Sequence, residues 1–117
     1  MRPSVLIVDD HEVFRRSARA MLEAEGFVVA GEAGGGAEAI VKARDVRPDG
    51  VLVDIQLPDL DGFAVGERIA AWPDRPVVVL ISSRDAAVYR SRLAITPARG
   101  FIAKSQLSGE ALASLVD

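Results

Sequence analysis

The sequence predicts an α/β fold in which five parallel strands form one sheet with helices on both faces. Three observations carry this reading. Apolar runs of strand length alternate with segments of helical period along all 117 residues. Val77–Ile81 is apolar at every position, as a central strand buried on both faces requires. The runs also end in polar groups: Asp9 and Asp10 after the first, Asp54 after the third, Ser82 after the fourth and Lys104 after the fifth. In an open parallel sheet these positions share one rim, and ligands bind on that rim where the strand order reverses.

Val5–Val8 reads as strand one. Val13, Phe14, Ser17, Ala18, Met21 and Leu22 then recur at three and four residues, one face of a helix that Gly26 ends. Phe27–Ala30 is a weaker strand, and Ala37, Ile40 and Val41 mark a second helix stopped before Pro48. Gly50–Val53 is strand three. A third helix spans 62–71 with Phe63, Gly66, Ile69 and Ala70 on one side. Strand four is followed by a short helix from Asp85 to Leu93. Gly100–Ala103 is strand five, and a last helix starts near Leu107 with Ser108 as its N-cap.

The bulk properties exclude several functions. Half the residues are apolar, enough for one domain over 1–117 with its own core. A net charge of −3 argues against a polyanion binder, so no nucleic acid is expected to bind this chain. Without cysteine there is no disulfide framework and no zinc–cysteine site. No apolar stretch approaches membrane-spanning length, and the N-terminus lacks a signal-peptide pattern. The expectation is a soluble cytoplasmic protein with no membrane contact.

The rim carries the chemistry. Two adjacent buried carboxylates repel each other and resist desolvation, so a cation is expected to use them. A dinucleotide site would need glycines at the first turn, where this chain has Asp9-Asp10. Oxygen ligands, no sulfur and a single histidine favour Mg²⁺ over zinc or copper. Asp54 is placed to act as a nucleophile toward phosphorus and form an acyl phosphate. Its charge and that of the transferred group need the metal and a cationic side chain. Lys104 is the only lysine besides Lys42, which reads as an exposed residue of the second helix. Ser82 is placed to donate a hydrogen bond to a phosphate oxygen.

In this order and at these spacings, four motifs resemble the receiver domain of two-component response regulators over essentially the whole chain. They are Val8-Asp9-Asp10; Asp54-Ile-Gln-Leu-Pro58-Asp-Leu-Asp61-Gly62; Ser82-Ser83; and Gly100-Phe101-Ile102-Ala103-Lys104. The resemblance implies a flavodoxin-like, CheY-like fold with strand order 2-1-3-4-5. It implies that Asp54 is the phosphoacceptor. Asp10 binds Mg²⁺ directly, Asp9 through water, and the Gln56 backbone carbonyl is a further ligand. Lys104 contacts the phosphoryl group. Ser82 is the switch hydroxyl, and Phe101 reports its movement on the surface of helix four, strand five and helix five. A histidine kinase is the implied phosphodonor. A homodimer through that surface, an output domain or a partner protein is the implied reader, with transcriptional regulation as the outcome. Asp9-Asp10-His11 and Arg15-Arg16 are similar to the NarL/FixJ subfamily that often carries a LuxR-type helix-turn-helix.

Three positions depart from the family pattern. Ser105 follows Lys104 where proline is common, which puts the usual cis peptide in doubt. Pro97 stands near a common glycine, and the final helix is short. No output domain is present in these residues, which fits either a chain cut before one or a stand-alone receiver.

Asp9 and Asp10 alone read as helix caps, and Asp59 and Asp61 as turn and cap residues rather than ligands. His11 reads as a first-turn helix residue. Gly34-Gly35-Gly36 lacks the Lys-Ser/Thr of a phosphate loop and reads as a lead-in to the second helix. Ser83 is the alternative switch hydroxyl. Trp72 and Tyr89 are isolated aromatics with no basic patch. Arg84 is either a solvated loop residue or, with Gln56, a control on the lifetime of the phosphoryl group. The leading expectation is a signalling switch that catalyses its own modification and slow hydrolysis without being a turnover enzyme. A Mg²⁺-dependent phosphohydrolase would need a second aspartate where Gln56 stands. A degenerate receiver that binds partners without phosphorylation would lack the acids, Ser82 or Lys104, all of which are present.

Overall fold

The computed structural model describes residues 2–116. Five strands, β1 (Ser4–Val8), β2 (Val28–Ala33), β3 (Gly50–Asp54), β4 (Val77–Ser82) and β5 (Gly100–Ala103), alternate with five helices. The helices are α1 (Glu12–Ala24), α2 (Gly36–Val46), α3 (Gly62–Ala70), α4 (Arg90–Leu93) and α5 (Gly109–Val116). The sheet order is β2-β1-β3-β4-β5, with every pairing parallel. The order reverses between β1 and β3, so the ends of those two strands flank the expected ligand crevice.

Side-chain alternation along the strands divides the core in two. Val5 and Ile7 of β1, Leu52 of β3, Val79 and Ile81 of β4 and Ile102 of β5 pack with Ala18 and Leu22 of α1 and Leu112 of α5. Leu6, Val8, Val51, Val53, Val78 and Leu80 pack on the other face with Ala39, Ala43, Phe63, Val65, Ile69 and Tyr89. Each fully buried aliphatic side chain of this kind contributes about 1.5–3 kcal/mol. The same alternation governs the rim. Asp9, Asp54 and Lys104 continue the parity of the α1–α5 face, whereas Ser82 and Phe101 continue that of the α2–α3–α4 face.

Several elements differ from the sequence expectation. β2 runs to Ala33: the register shifts by one residue at Ala30, and Gly31 and Glu32 then pair with Leu6 and Ile7 of β1. The Glu32 carboxylate is held there by Arg15 (3.0 Å) and Arg19 (2.9 Å) of α1. Val13 and Val41, placed on the packed faces of the first two helices, are 75% and 60% exposed. Ser17 and Ala37 also face solvent, and α2 packs through Gly36, Ala39 and Ala43 instead. The segment from Asp85 to Leu93 is not one helix. A 3₁₀ turn (Ala86–Tyr89) leads into a single α-turn, and Tyr89 is the only residue buried in either. One buried side chain cannot hold a longer helix.

The caps explain the loops around the rim. Ser108 caps α5, its Oγ accepting from the Ala111 N–H at 3.0 Å. Asp61 caps α3 by accepting from the Phe63 N–H at 2.7 Å. α2 has only glycine at its N-cap, and Asp59 supplies the missing acceptor from the β3–α3 loop. It takes the N–H groups of Gly36 (2.8 Å) and Ala37 (3.0 Å). Asp59 and Asp61 therefore serve as turn and cap residues. No peptide bond among the described residues is cis, the Lys104–Ser105 bond included.

Gly62 fixes the loop after the candidate phosphoacceptor. Its N–H donates to the Ile55 carbonyl at 2.9 Å. A Cβ there would overlap the Asp54 carbonyl oxygen and sit 2.6 Å from the Ile55 Cα. Gly62→Ala is therefore expected to lower unfolding free energy by about 1–3 kcal/mol and to shift the amide resonances of Asp54 to Gln56. Urea denaturation with an amide spectrum checks both, and unchanged stability contradicts the packing argument.

Candidate functional site at the strand ends

The rim brings together Asp9, Asp54 and Lys104. The Lys104 Nζ lies 3.0 Å from Asp54 Oδ2 and 2.5 Å from Asp9 Oδ2. Asp9 is fully buried and Asp54 is 4% exposed. Phe14 of α1 lies under the ammonium, with its ring centre 4.4 Å from Nζ. Two buried carboxylates thus share one cation that is itself largely shielded.

The two acids differ in their supports. Burial, the largest influence on Asp9, opposes its ionisation. Hydrogen bonding with Lys104, the His11 N–H and the Lys104 charge together outweigh burial and hold the carboxyl below its ordinary value. Burial dominates at Asp54 and raises its carboxyl above the ordinary value. The Gln56 N–H (3.0 Å) and Lys104 offset this in part, and the charge of Asp9 adds to it. Lys104 is also opposed first by burial, yet its bonds to Asp9 and Asp54 raise its pKa. Environment thus pushes two like groups in opposite directions, Asp9 toward its anion and Asp54 away from it.

Asp10 sits just outside this pair. It is exposed, and its Oδ1 lies 3.1 Å from His11 Nδ1. The same imidazole nitrogen is 3.1 Å from Asp9 Oδ1, which also accepts from the His11 N–H at 2.8 Å. His11 is the residue before α1 rather than in its first turn. Asp9, Asp10, Asp54 and His11 each present a ligand atom within 4.8 Å of the others. Asp9 Oδ2 is buried, and the Lys104 ammonium against it is shared with Asp54, to which Lys104 also donates. An oxygen-rich donor set with a buried, incompletely satisfied carboxylate oxygen fits a small hard cation.

Ser82 and Ser83 are distinguished by burial. Ser82 is fully buried, while Ser83 faces solvent. Ser82 Oγ accepts from the Arg84 N–H at 3.1 Å and is hydrogen-bonded to the Tyr89 hydroxyl at 3.0 Å. The Tyr89 ring lies between Phe63 and Phe101, at centroid distances of 6.0 and 6.3 Å. Phe101 is half-buried at the edge of this aromatic group. Gln56 and Arg84 have exposed side chains beside the rim. Sequence reasoning missed Tyr89 as a partner of Ser82 and placed Phe14 only on a core face. The available signal for Tyr89 was that it is the one aromatic residue between Ser82 and Phe101.

Residues 5–116 match the response regulator receiver domain family. The chain belongs to that family. Among curated relatives, it is 36% identical over 115 residues to the response regulator GacA of Pseudomonas syringae pv. syringae, covering 96% of this chain and 51% of GacA. It is 34% identical over 106 residues to the virulence-factor transcription regulator BvgA of Bordetella pertussis, covering 91% of this chain and 51% of BvgA. The chain therefore spans about half the length of these relatives. The signal receiver domain of NarL from Mycobacterium tuberculosis superposes with a TM-score of 0.85 at 29% identity, covering 98% of this chain and 96% of that one. The chemotaxis response regulator CheY4 of Vibrio cholerae shares the fold, with a TM-score of 0.81 at 22% identity over 97% and 95% of the two chains. The chain is thus a CheY-like receiver of two-component signalling, and no helix among its described residues is long and apolar enough to cross a membrane.

Proposed function

We propose that residues 1–117 act as one receiver domain in which Asp54 accepts a phosphoryl group from a histidine kinase phosphohistidine. The observation that carries this reading is the buried Asp54 carboxylate, 3.0 Å from Lys104 at the switch point of the sheet. An Asp54 oxygen attacks phosphorus as the phosphorus–nitrogen bond breaks. The electron pair of that bond returns to the imidazole, which takes a proton from solvent, and an acyl phosphate remains. Asp9, Asp10, Asp54 and the Gln56 carbonyl would hold Mg²⁺, which when bound supplies positive charge against the transferred group. Lys104 exchanges Asp54 for a phosphoryl oxygen and keeps its contact with Asp9. Ser82 turns to donate to a second phosphoryl oxygen, and Phe101 passes that change to the α4–β5–α5 surface.

That surface controls an output domain, a homodimer or a partner protein, and transcriptional regulation in the cytoplasm is the proposed outcome. The lengths of GacA and BvgA support an output segment beyond the receiver. The domain modifies itself and is slowly hydrolysed rather than turning over a substrate. Gln56 and Arg84, exposed beside the rim, set how readily water reaches the acyl phosphate. The test is incubation with acetyl phosphate and Mg²⁺, read by intact mass. The chain is expected to gain one phosphoryl group and Asp54→Asn none. No gain in the parent chain overturns the proposal.

A further inference from the structure

The segment 86–93, a 3₁₀ turn running into α4, is fastened to the rim at two points. The Tyr89 hydroxyl is bonded to Ser82 Oγ, and Arg92 forms an ion pair with Asp61 at 2.7 Å while covering the Phe63 ring at 4.1 Å. Asp61 caps α3 directly after the Asp54 loop. The α4 segment has a single helical turn, so few backbone bonds of its own resist movement.

Ser82 Oγ carries one hydrogen. It already accepts from the Arg84 N–H, and its remaining exchange in the resting chain is with Tyr89. Either hydroxyl can be the donor in that bond: with Ser82 donating, a phosphoryl oxygen competes for its one hydrogen, and with Tyr89 donating, the turn of Oγ toward Asp54, which follows the opposite face of the sheet, draws it away from Tyr89. We infer that Tyr89 is a positioning residue that holds the Ser82 hydroxyl in the resting receiver, so that phosphoryl capture at Asp54 has to break the Ser82–Tyr89 hydrogen bond. The inference rests on Asp54 as phosphoacceptor and adds the device that opposes the switch. Breaking the bond leaves a buried tyrosine hydroxyl without its partner, which is costly. The α4 segment relieves that cost by moving the Tyr89 ring, and the ring carries the change to Phe101 through their contact. The switch thus reaches α4 and β5 together.

The test is a titration with beryllofluoride, a phosphoryl mimic, in the presence of Mg²⁺. It uses the parent chain, Tyr89→Phe, Ser82→Ala and the double variant. Tyr89→Phe keeps the ring between Phe63 and Phe101 and removes only the hydroxyl. It is expected to bind beryllofluoride about two- to tenfold tighter, the range of one neutral hydrogen bond, with Mg²⁺ affinity unchanged. In the Ser82→Ala background the same substitution is expected to change nothing. Unchanged or weaker binding by Tyr89→Phe overturns the inference, as does equal tightening without Ser82. Tyr89→Met repeats the comparison if the phenylalanine variant does not fold. If the parent chain fails to bind beryllofluoride, the phosphoacceptor reading itself falls, and that result is visible before any variant is compared.

Discussion

A Lys104→Met chain is expected to react with acetyl phosphate about a hundredfold more slowly than the parent, the loss typical of removing one charge-stabilising donor. It is also expected to lose about 2–4 kcal/mol of stability in the absence of Mg²⁺. Both effects have one origin. Lys104 is the shared cation of two carboxylates that are fully or almost fully buried. Removing one partner of such a group leaves uncompensated charge in a medium that solvates it poorly. Methionine is close to the lysine stem in volume, so the loss reports the charge, its contact with the Phe14 ring included, rather than volume. The same logic predicts a rescue. Mg²⁺ is expected to stabilise Lys104→Met by more than it stabilises the parent, because a cation bound by Asp9, Asp10 and Asp54 replaces the missing charge. Urea denaturation with and without Mg²⁺ measures this, and equal stabilisation of the two chains contradicts the shared-cation account.

Asp10→Asn is expected to weaken Mg²⁺ binding by at least about tenfold, and by more than Asp9→Asn does. Asp9 is committed inside the protein: one carboxylate oxygen takes the His11 N–H, and the other contacts Lys104. Asp10 is exposed, and among the described residues its one ion contact is from Oδ1 to the His11 ring, which leaves Oδ2 open to a cation's inner coordination. Asp9→Asn is expected to fall chiefly on stability, through the loss of a partner for Lys104. Mg²⁺ titration of both variants decides the point, and equal losses of affinity contradict the division of roles.

The three residues that meet at the rim were legible because each stands at the end of a strand or just past it, and strand parity sends Asp9, Asp54 and Lys104 to the same face. The family motifs added their order. Positions that depended on helix orientation were harder. Val13 and Val41 have helical spacing, yet each lies at the solvent edge of its apolar stripe, and spacing alone does not say which edge is covered. β2 continued past Ala30 because pairing with β1 and two arginines of α1 compensate for Gly31 and Glu32, and such compensation comes from residues far along the chain. Tyr89 was hidden for a related reason. It stands where a 3₁₀ turn becomes an α-turn, so no periodicity marks its direction, and its partner is defined only once β4 and α4 are packed. His11 illustrates the same limit: the sequence made it a helix residue, whereas its ring bridges Asp9 and Asp10.

The central claim is that Asp54, and not the acids beside it, carries the phosphoryl group. Borohydride reduction after acetyl phosphate treatment converts an aspartyl phosphate to homoserine, and peptide mapping then locates it. The account predicts homoserine at position 54 alone, dependent on Mg²⁺ and absent from Asp54→Asn. Homoserine at position 9 or 10 of the parent chain, or labelling that persists in Asp54→Asn at the parent level, would contradict it.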